Sequence, residues 1–318
     1  MKKLRIVFMG TPEFAVESLR YLSENGYEIA AVVTVPDKPA GRGLKLRESA
    51  VKRFAINLGL QVLQPASLKD PDFIAALSAL NANLFVVVAF RKLPDVVWMM
   101  PEYGTFNLHA SLLPDYRGAA PINHAVINGE STTGVTTFFL NSEIDTGKII
   151  MNRSVNVGPN ETAGELHDRL MITGAQVVVE TVKTISEGPF NVVDQPATAT
   201  GIKPAPRIFR EHCRIDWSKT VSEVHNLIRG LSPYPGAYST LNISEQVTEV
   251  KILRSAIIST DDKLLPGEVT IMDRSRLLVS CSDGFIEILQ LQAAGKKEMM
   301  ASDFLRGIHN SPLKFDVN

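Results

Sequence analysis

The stretch Leu4-Arg5-Ile6-Val7-Phe8-Met9-Gly10-Thr11-Pro12-Glu13 sets the architecture of the first half of the chain. A short apolar run closed by a glycine reads as a buried strand. Thr11, Pro12 and Glu13 then offer a capping hydroxyl, a proline at the first helical position and an acid in the first turn. Ala15, Leu19 and Leu22 follow at helical spacing, and Asn25-Gly26 stops the helix. The alternation continues, with strands predicted at 29–35 and 84–90 and helices at 51–58 and 70–80. Strands that are almost uniformly apolar and separated by helices indicate a parallel sheet covered on both faces. Further strands at 105–110, 134–140 and 148–157, and a helix at about 161–186, complete a doubly wound, Rossmann-like α/β domain. Its expected extent is residues 1–189.

Residues 190–206 hold three prolines and little periodicity and read as a linker. Beyond it a helix is predicted at 221–229, followed by short β-type runs at 237–243, 250–258, 267–272, 277–281 and 285–291. Five short strands separated by turns point to a small β-barrel of OB-like type over residues 207–318.

The 318 residues are 45% hydrophobic and 21% charged, values that support packed cores and argue against a disordered chain. No apolar run reaches the roughly 18 residues of a membrane span, and the N-terminus lacks the pattern of a secretory signal. A cytoplasmic protein with no membrane association is expected. Cys213 and Cys281 are far apart and belong to no Cys-x-x-Cys pair, and the six histidines show no metal-ligand spacing. No metal site is expected. The net charge of −1 excludes indiscriminate binding to nucleic acid, yet basic residues gather locally. Lys38, Arg42, Lys45, Arg47, Lys52 and Arg53 face only Glu48 in one stretch; Lys203, Arg207, Arg210 and Arg214 face only Glu211 in another. Taken singly, each stretch reads as a solvated surface.

The first strand-to-helix turn carries one glycine where dinucleotide binding requires Gly-x-Gly-x-x-Gly, and no phosphate loop ending in Gly-Lys-Ser/Thr exists. A nicotinamide oxidoreductase or an ATPase is therefore disfavoured. Asn107-Leu108-His109-Ala110-Ser111-Leu112-Leu113-Pro114 is more informative. Alternation along a strand puts Asn107 and His109 on one face, close to the carboxyl edge where open α/β sheets bind ligands. An amide donor beside an imidazole can polarise a carbonyl and handle a proton. Spacing alone favours a plainer reading, with Asn107 closing the strand end and His109 a half-buried hydrogen-bonding residue. Asp145-Thr146-Gly147 occurs once, which excludes an aspartic protease, since that chemistry needs two such carboxylates. By itself this triplet is an ordinary turn.

Together these residues resemble the folate-dependent formyltransferase family. Asn107-x-His109, Ser111-Leu112-Leu113-Pro114, Arg117-Gly118-Ala119-Ala120-Pro121 and Asp145-Thr146-Gly147 match its signature in order and spacing. The basic stretch Val35–Gly43, with Arg214-Ile215-Asp216-Trp217 and Ser232-Pro233-Tyr234-Pro235, is similar to the members that act on tRNA. The resemblance implies 10-formyltetrahydrofolate as co-substrate, initiator methionyl-tRNA as acceptor and a monomeric enzyme. It implies Asn107, His109 and Asp145 as catalytic residues, and a folate pocket at Val88, Phe90, Ser111, Leu112, Leu113 and Pro114. For tRNA it implies Lys38, Arg42, Lys45, Lys203 and Arg207. The alternative is a relative acting on another amine, such as an amino-sugar nucleotide. Three positions depart from the family pattern: Phe90-Arg91-Lys92 replaces a Tyr-Gly segment and is one residue shorter, Glu143 replaces a glycine, and Asp115 stands where a basic residue is common.

Overall fold

A computed structural model describes residues 3–40, 45–196, 201–244, 246–258, 265–308 and 312–316. Arg42 lies outside the described residues. In chain order the elements begin with β1 (Arg5–Gly10), α1 (Glu13–Glu24), β2 (Glu28–Val33), β3 (Lys38–Ala40), β4 (Lys45–Arg47) and α2 (Ala50–Asn57). Next come β5 (Val62–Leu63), α3 (Pro71–Ala79), β6 (Leu84–Val88), α4 (Asp95–Trp98), β7 (Thr105–His109) and β8 (Arg117–Gly118). They are followed by α5 (Pro121–Ile127), β9 (Thr132–Phe139), β10 (Ile149–Asn156), α6 (Ala163–Glu187) and β11 (Pro204–Ala205). The remainder comprises α7 (Val221–Leu231), β12 (Ala237–Ile243), β13 (Gln246–Ile258), β14 (Val269–Met272), β15 (Arg276–Ser280), β16 (Phe285–Ala293), β17 (Met299–Met300), α8 (Ala301–Arg306) and β18 (Leu313–Phe315).

The chain forms two compact units. One comprises Met1–Gly118, Thr133–Val155 and His167–Pro204; the other comprises Ala119–Thr132, Asn156–Leu166 and Ala205–Asn318. In the first unit a sheet runs in the order β10-β9-β7-β6-β1-β2-β5. The chain winds outward from β1 in both directions, and β1 pairs in parallel with β2 and β6, as β6 does with β7. The doubly wound expectation is met, but the sheet is mixed: β9 runs antiparallel to β7. Thr136 of β9 stands opposite His109, and Phe139 opposite Phe106.

Alternation sorts the two faces of this sheet. Val7, Met9, Phe85 and Val87 pack with Phe73, Leu77 and Val97 of α3 and α4. On the other face Leu108 meets α6, where a Cβ on Gly174 would lie 2.7 Å from its side chain. The start of α1 corrects the sequence reading. Pro12, not Thr11, occupies the capping position and provides no side-chain hydrogen bond, and the buried Thr11 hydroxyl has no partner among the described residues. Gly10 has a packing role rather than a phosphate-binding one, since a Cβ there would approach Ala15 to 2.7 Å and the Val88 carbonyl to 3.0 Å. The helices α2 and α3 are capped as their sequences suggest, Ser49 accepting from the Lys52 N–H and Asp70 from the Asp72 N–H.

In the second unit the strands follow the order β14-β15-β16-β13-β12-β18, with β17 beside β16. The Phe315 N–H donates to the Gly267 carbonyl at 3.0 Å, and Glu268 bridges to Lys314. These contacts bring the two ends of the sheet together and close a barrel. Two strands, β17 and β18, were not foreseen, because two or three residues carry no readable period. Trp217 fills the interior against Phe315, ring centroids 5.2 Å apart, and donates from Nε1 to Ser239 Oγ. Helix α7 opens with a capping box: Thr220 accepts from the Glu223 N–H, and the Glu223 carboxylate accepts from the Thr220 N–H. Both cysteines are buried, and burial pushes the Cys281 thiol up to about 12, so neither is a reactive surface thiol.

His225 on α7 donates from Nε2 to the Pro159 carbonyl at 3.2 Å and accepts at Nδ1 from Ser255 Oγ at 2.9 Å. Burial holds this imidazole below its ordinary value of 6.5, helped by the Arg229 guanidinium and opposed by the Pro159 carbonyl. The folded protein thus resists a proton that the unfolded chain takes up. The stability this gives is present above about pH 6.5 and lost as pH falls toward the lower folded value. Melting temperature should therefore fall on acidification below pH 6.5, and His225→Gln should make that fall shallower. An unchanged slope in the variant would contradict the assignment.

Candidate active site

His109 ends β7, and Asn107 lies two residues earlier on the same face. The imidazole is buried, with 7% of its side chain exposed. Its Nε2 lies 2.8 Å from the Tyr116 carbonyl oxygen. A carbonyl only accepts, so Nε2 carries a proton. The other nitrogen, Nδ1, faces the Asp145 carboxylate, 3.8 Å from Oδ2. Asp145 comes from the turn between β9 and β10, and its Oδ2 also accepts from the Gly118 N–H at 3.0 Å. Two of the three predicted catalytic side chains therefore meet directly. The third, Asn107, is half-buried and follows Val87 and Phe138 in register on the neighbouring strands.

The Asp145 turn is tightly constrained. Asp145 has φ of 57°, the left-handed region, where strain costs about 1–3 kcal/mol and persists only when the surroundings enforce it. Asp tolerates this conformation better than most side chains. Gly147 lies so close to β9 that a Cβ would fall 1.6 Å from the Phe139 carbonyl oxygen. Of Asp-Thr-Gly, the aspartate faces His109 and the glycine permits the turn.

The residues predicted for a folate pocket divide in two. Ser111 is buried and donates to the Asp115 carbonyl at 2.6 Å, and Leu113 packs with Phe138 and Ile149. Val88 is paired with Leu108, on the face away from Asn107. Phe90, Leu112 and Pro114 are only partly buried, and Phe90 packs at the edge of the core that includes Leu68 and Leu93. Arg91, one of the departures from the family pattern, stacks over the Phe90 ring, its guanidinium carbon 5.6 Å from the centroid. It donates to the carbonyls of Ala66 and Pro65 and so ties together the segments that follow β5 and β6. Between these segments lies an open concavity of about 810 Å³ lined by Ala66–Lys69 and Arg91–Val96. Its walls include none of Asn107, His109 and Asp145. Asp115 has a structural explanation, since its Oδ1 accepts from the Lys203 N–H at 3.0 Å.

Of the residues predicted for tRNA, Lys38 and Lys203 are exposed in the first unit. Arg207 is exposed in the second, its guanidinium 5.5 Å from the Phe209 ring centre. Lys45 pairs with Ala40 in the β3–β4 ladder. Sequence reading missed Tyr116, whose carbonyl orients His109, and Gln195, which bonds the backbone of the Asp145 turn.

Comparison with known proteins now decides the family. Residues 4–182 match the formyl transferase family and residues 207–309 its C-terminal domain. The chain is 51% identical over 314 residues to a methionyl-tRNA formyltransferase of Bacteroides fragilis, covering 97% of each chain. It is 50% identical over 308 residues to that of Flavobacterium johnsoniae, again with 97% of each covered. The chain belongs to the methionyl-tRNA formyltransferase family. Among solved structures the fold is similar to WlaRD, a sugar 3N-formyl transferase, at a TM-score of 0.64 and 21% identity, covering 93% of this chain and 100% of that one. It is also similar to HypX from Aquifex aeolicus in complex with tetrahydrofolic acid, at 0.64 and 18%, covering 97% and 48%. At these identities the solved structures support the fold alone. The formyltransferase assignment agrees with the geometry: a histidine at a strand end and an aspartate on a constrained turn converge at the sheet edge.

Gly147→Ala should expose the constraint on that turn. The added Cβ forces a backbone shift, with an expected loss of about 1–3 kcal/mol in urea unfolding. A variant of unchanged stability would show that the turn relaxes freely.

Proposed function

We propose that this chain transfers the formyl group of 10-formyltetrahydrofolate to the amino group of methionyl initiator tRNA. The observation that carries the reading is the 51% identity, over 97% of both chains, to a protein named methionyl-tRNA formyltransferase. The sugar-modifying relatives share the fold at 21% identity, which favours the tRNA acceptor over an amino-sugar nucleotide.

The reaction is an acyl transfer. The amine attacks the formyl carbon, negative charge develops on the formyl oxygen, and the amine loses a proton. Collapse of the intermediate then breaks the bond from the formyl carbon to the folate nitrogen, which takes up a proton and leaves as tetrahydrofolate. Asn107 supplies a neutral amide donor to that oxygen, a contribution worth roughly 10²–10³ in rate. His109 keeps Nε2 on the Tyr116 carbonyl, so Nδ1 is the nitrogen left to act. When protonated there, His109 donates to the same oxygen, and the Asp145 carboxylate 3.8 Å away stabilises the imidazolium. Asp145 also helps to take the amine proton, through water, a role worth roughly 10²–10⁴. The folate lies along Val88, Phe90 and Ser111–Pro114. Phosphates of the tRNA meet Lys38, Arg42, Lys45, Lys203 and Arg207, in the cytoplasm and with the enzyme as a monomer. Residues 1–189 carry the chemistry, and residues 207–318 bind the tRNA.

Formylmethionine should form when the protein is incubated with 10-formyltetrahydrofolate and charged initiator tRNA. Parallel reactions with glycinamide ribotide, an amino-sugar nucleotide or water alone should give no comparable turnover; a preference for one of these would replace the acceptor named here. Asp145→Asn and His109→Ala should each lower kcat by roughly 10²-fold or more, with much smaller changes in KM. Near-normal turnover in either variant would remove that residue from the mechanism.

Arg42→Ala and Arg207→Ala test recognition separately. Each should weaken tRNA binding and make the log–log salt slope shallower by roughly 0.7–0.9 if one phosphate contact is lost. Unchanged slopes would mean that these cations are merely solvated.

A further inference from the structure

Residues 190–206 read as a linker in sequence, yet part of this segment is bonded to the Asp145 turn. Val193 and Ile149 exchange backbone hydrogen bonds of 2.8 and 2.9 Å, and Asp194 pairs with Lys148 at 3.2 Å. Gln195 follows directly in the chain. Its Nε2 donates to the Asp145 carbonyl at 3.1 Å and to the Gly147 carbonyl at 2.7 Å. Its Oε1 accepts from Arg117 Nε at 3.1 Å and from Nη2 at 2.8 Å. The orientation of the amide follows from its partners: two carbonyls can only accept, and a guanidinium can only donate.

We infer that Gln195, oriented by Arg117, is a positioning residue for Asp145. The inference rests on the catalytic role proposed above for that aspartate. Three consecutive residues then serve one arrangement. Tyr116 holds His109 Nε2 through its carbonyl, Arg117 holds Gln195, and Gly118 holds Asp145 Oδ2 through its N–H. Gln195 adds the one part these cannot reach, the backbone on either side of Thr146. Asp145 has a positive φ and cannot keep its carboxylate aimed at His109 unless its own carbonyl is restrained. The Gln195 amide supplies that restraint. Small displacements of a catalytic group are costly, since a shift of about 1 Å can reduce rate by roughly 10²-fold.

Gln195→Glu provides the sharpest test. Glutamate keeps the length and the partnership with Arg117 but replaces the donor with an oxygen facing two carbonyl oxygens. The variant should lose roughly 10- to 100-fold in kcat, with KM for 10-formyltetrahydrofolate and for charged tRNA changed little. Gln195→Ala should lose a comparable factor. Amide hydrogen exchange supplies a readout that does not depend on activity: the Gly118 N–H, which donates to Asp145 Oδ2, should exchange faster in Gln195→Glu while the β1 and β6 amides keep their protection. In an Asp145→Asn background the Gln195→Glu change should cost less than about twofold more, because both act through one group. Normal kcat in Gln195→Glu beside an impaired Asp145→Asn would overturn the inference and leave the role of Asp145 standing. A full additive loss in the double variant, or unchanged exchange at Gly118, would also overturn it. Normal turnover in Asp145→Asn itself would remove the catalytic role and the inference with it.

Discussion

The hydrogen bond from His109 Nε2 to the Tyr116 carbonyl is the constraint on which the candidate active site depends. An imidazole at the end of a strand can turn about two side-chain bonds, and either nitrogen could carry its proton. The carbonyl removes both freedoms at once. It fixes the plane of the ring, assigns the proton to Nε2 and turns Nδ1 toward Asp145. Burial strengthens the effect, because a carbonyl without a donor in this environment would cost about 1–3 kcal/mol. Tyr116 is itself fixed from behind, its N–H donating to the Lys203 carbonyl.

The fold supplies this constraint by bringing three distant stretches to one sheet edge. The strand β7 delivers Asn107 and His109, the segment after it delivers Tyr116 to Gly118, and the turn beyond β9 delivers Asp145. The last residue of β9, Phe139, lies opposite Phe106, and the turn that follows folds back until Asp145 Oδ2 is 3.8 Å from His109 Nδ1. Close packing then leaves little freedom. Gly147 lies against the Phe139 carbonyl, and the positive φ at Asp145 persists because the neighbours require it. Such a turn calls for glycine at 147 and tolerates a short polar residue at 145.

Much of this was legible in the sequence, for identifiable reasons. Long apolar runs such as Leu84–Val88 bury both faces and announce themselves, and Asn107-x-His109 inherits its geometry from strand alternation. The barrel strand β12 alternates inward and outward residues over most of its length, whereas β16 does so only in part. What escaped notice lacks local periodicity. The three-residue strand β18 and the short helix α8 exist because the barrel offers them partners. Thr11 looked like a cap, but Pro12 adopts the extended conformation first and moves the helix start one residue on. The stretch 190–206 is rich in proline and poor in pattern, so its bonds to the Asp145 turn and to Tyr116 could be seen only in three dimensions. Backbone carbonyls are likewise invisible to residue-type reasoning, which is why the partner of His109 Nε2 was missed.

The state of the His109 ring tests the arrangement most directly. Nitrogen-15 NMR of protein labelled at histidine reports which ring nitrogen is protonated. At neutral pH a proton on Nε2 is expected, with Asp145→Asn perturbing the Nδ1 resonance more than that of Nε2. A neutral ring protonated on Nδ1 alone, or an Nδ1 signal indifferent to Asp145→Asn, would contradict the geometry from which the mechanism is built.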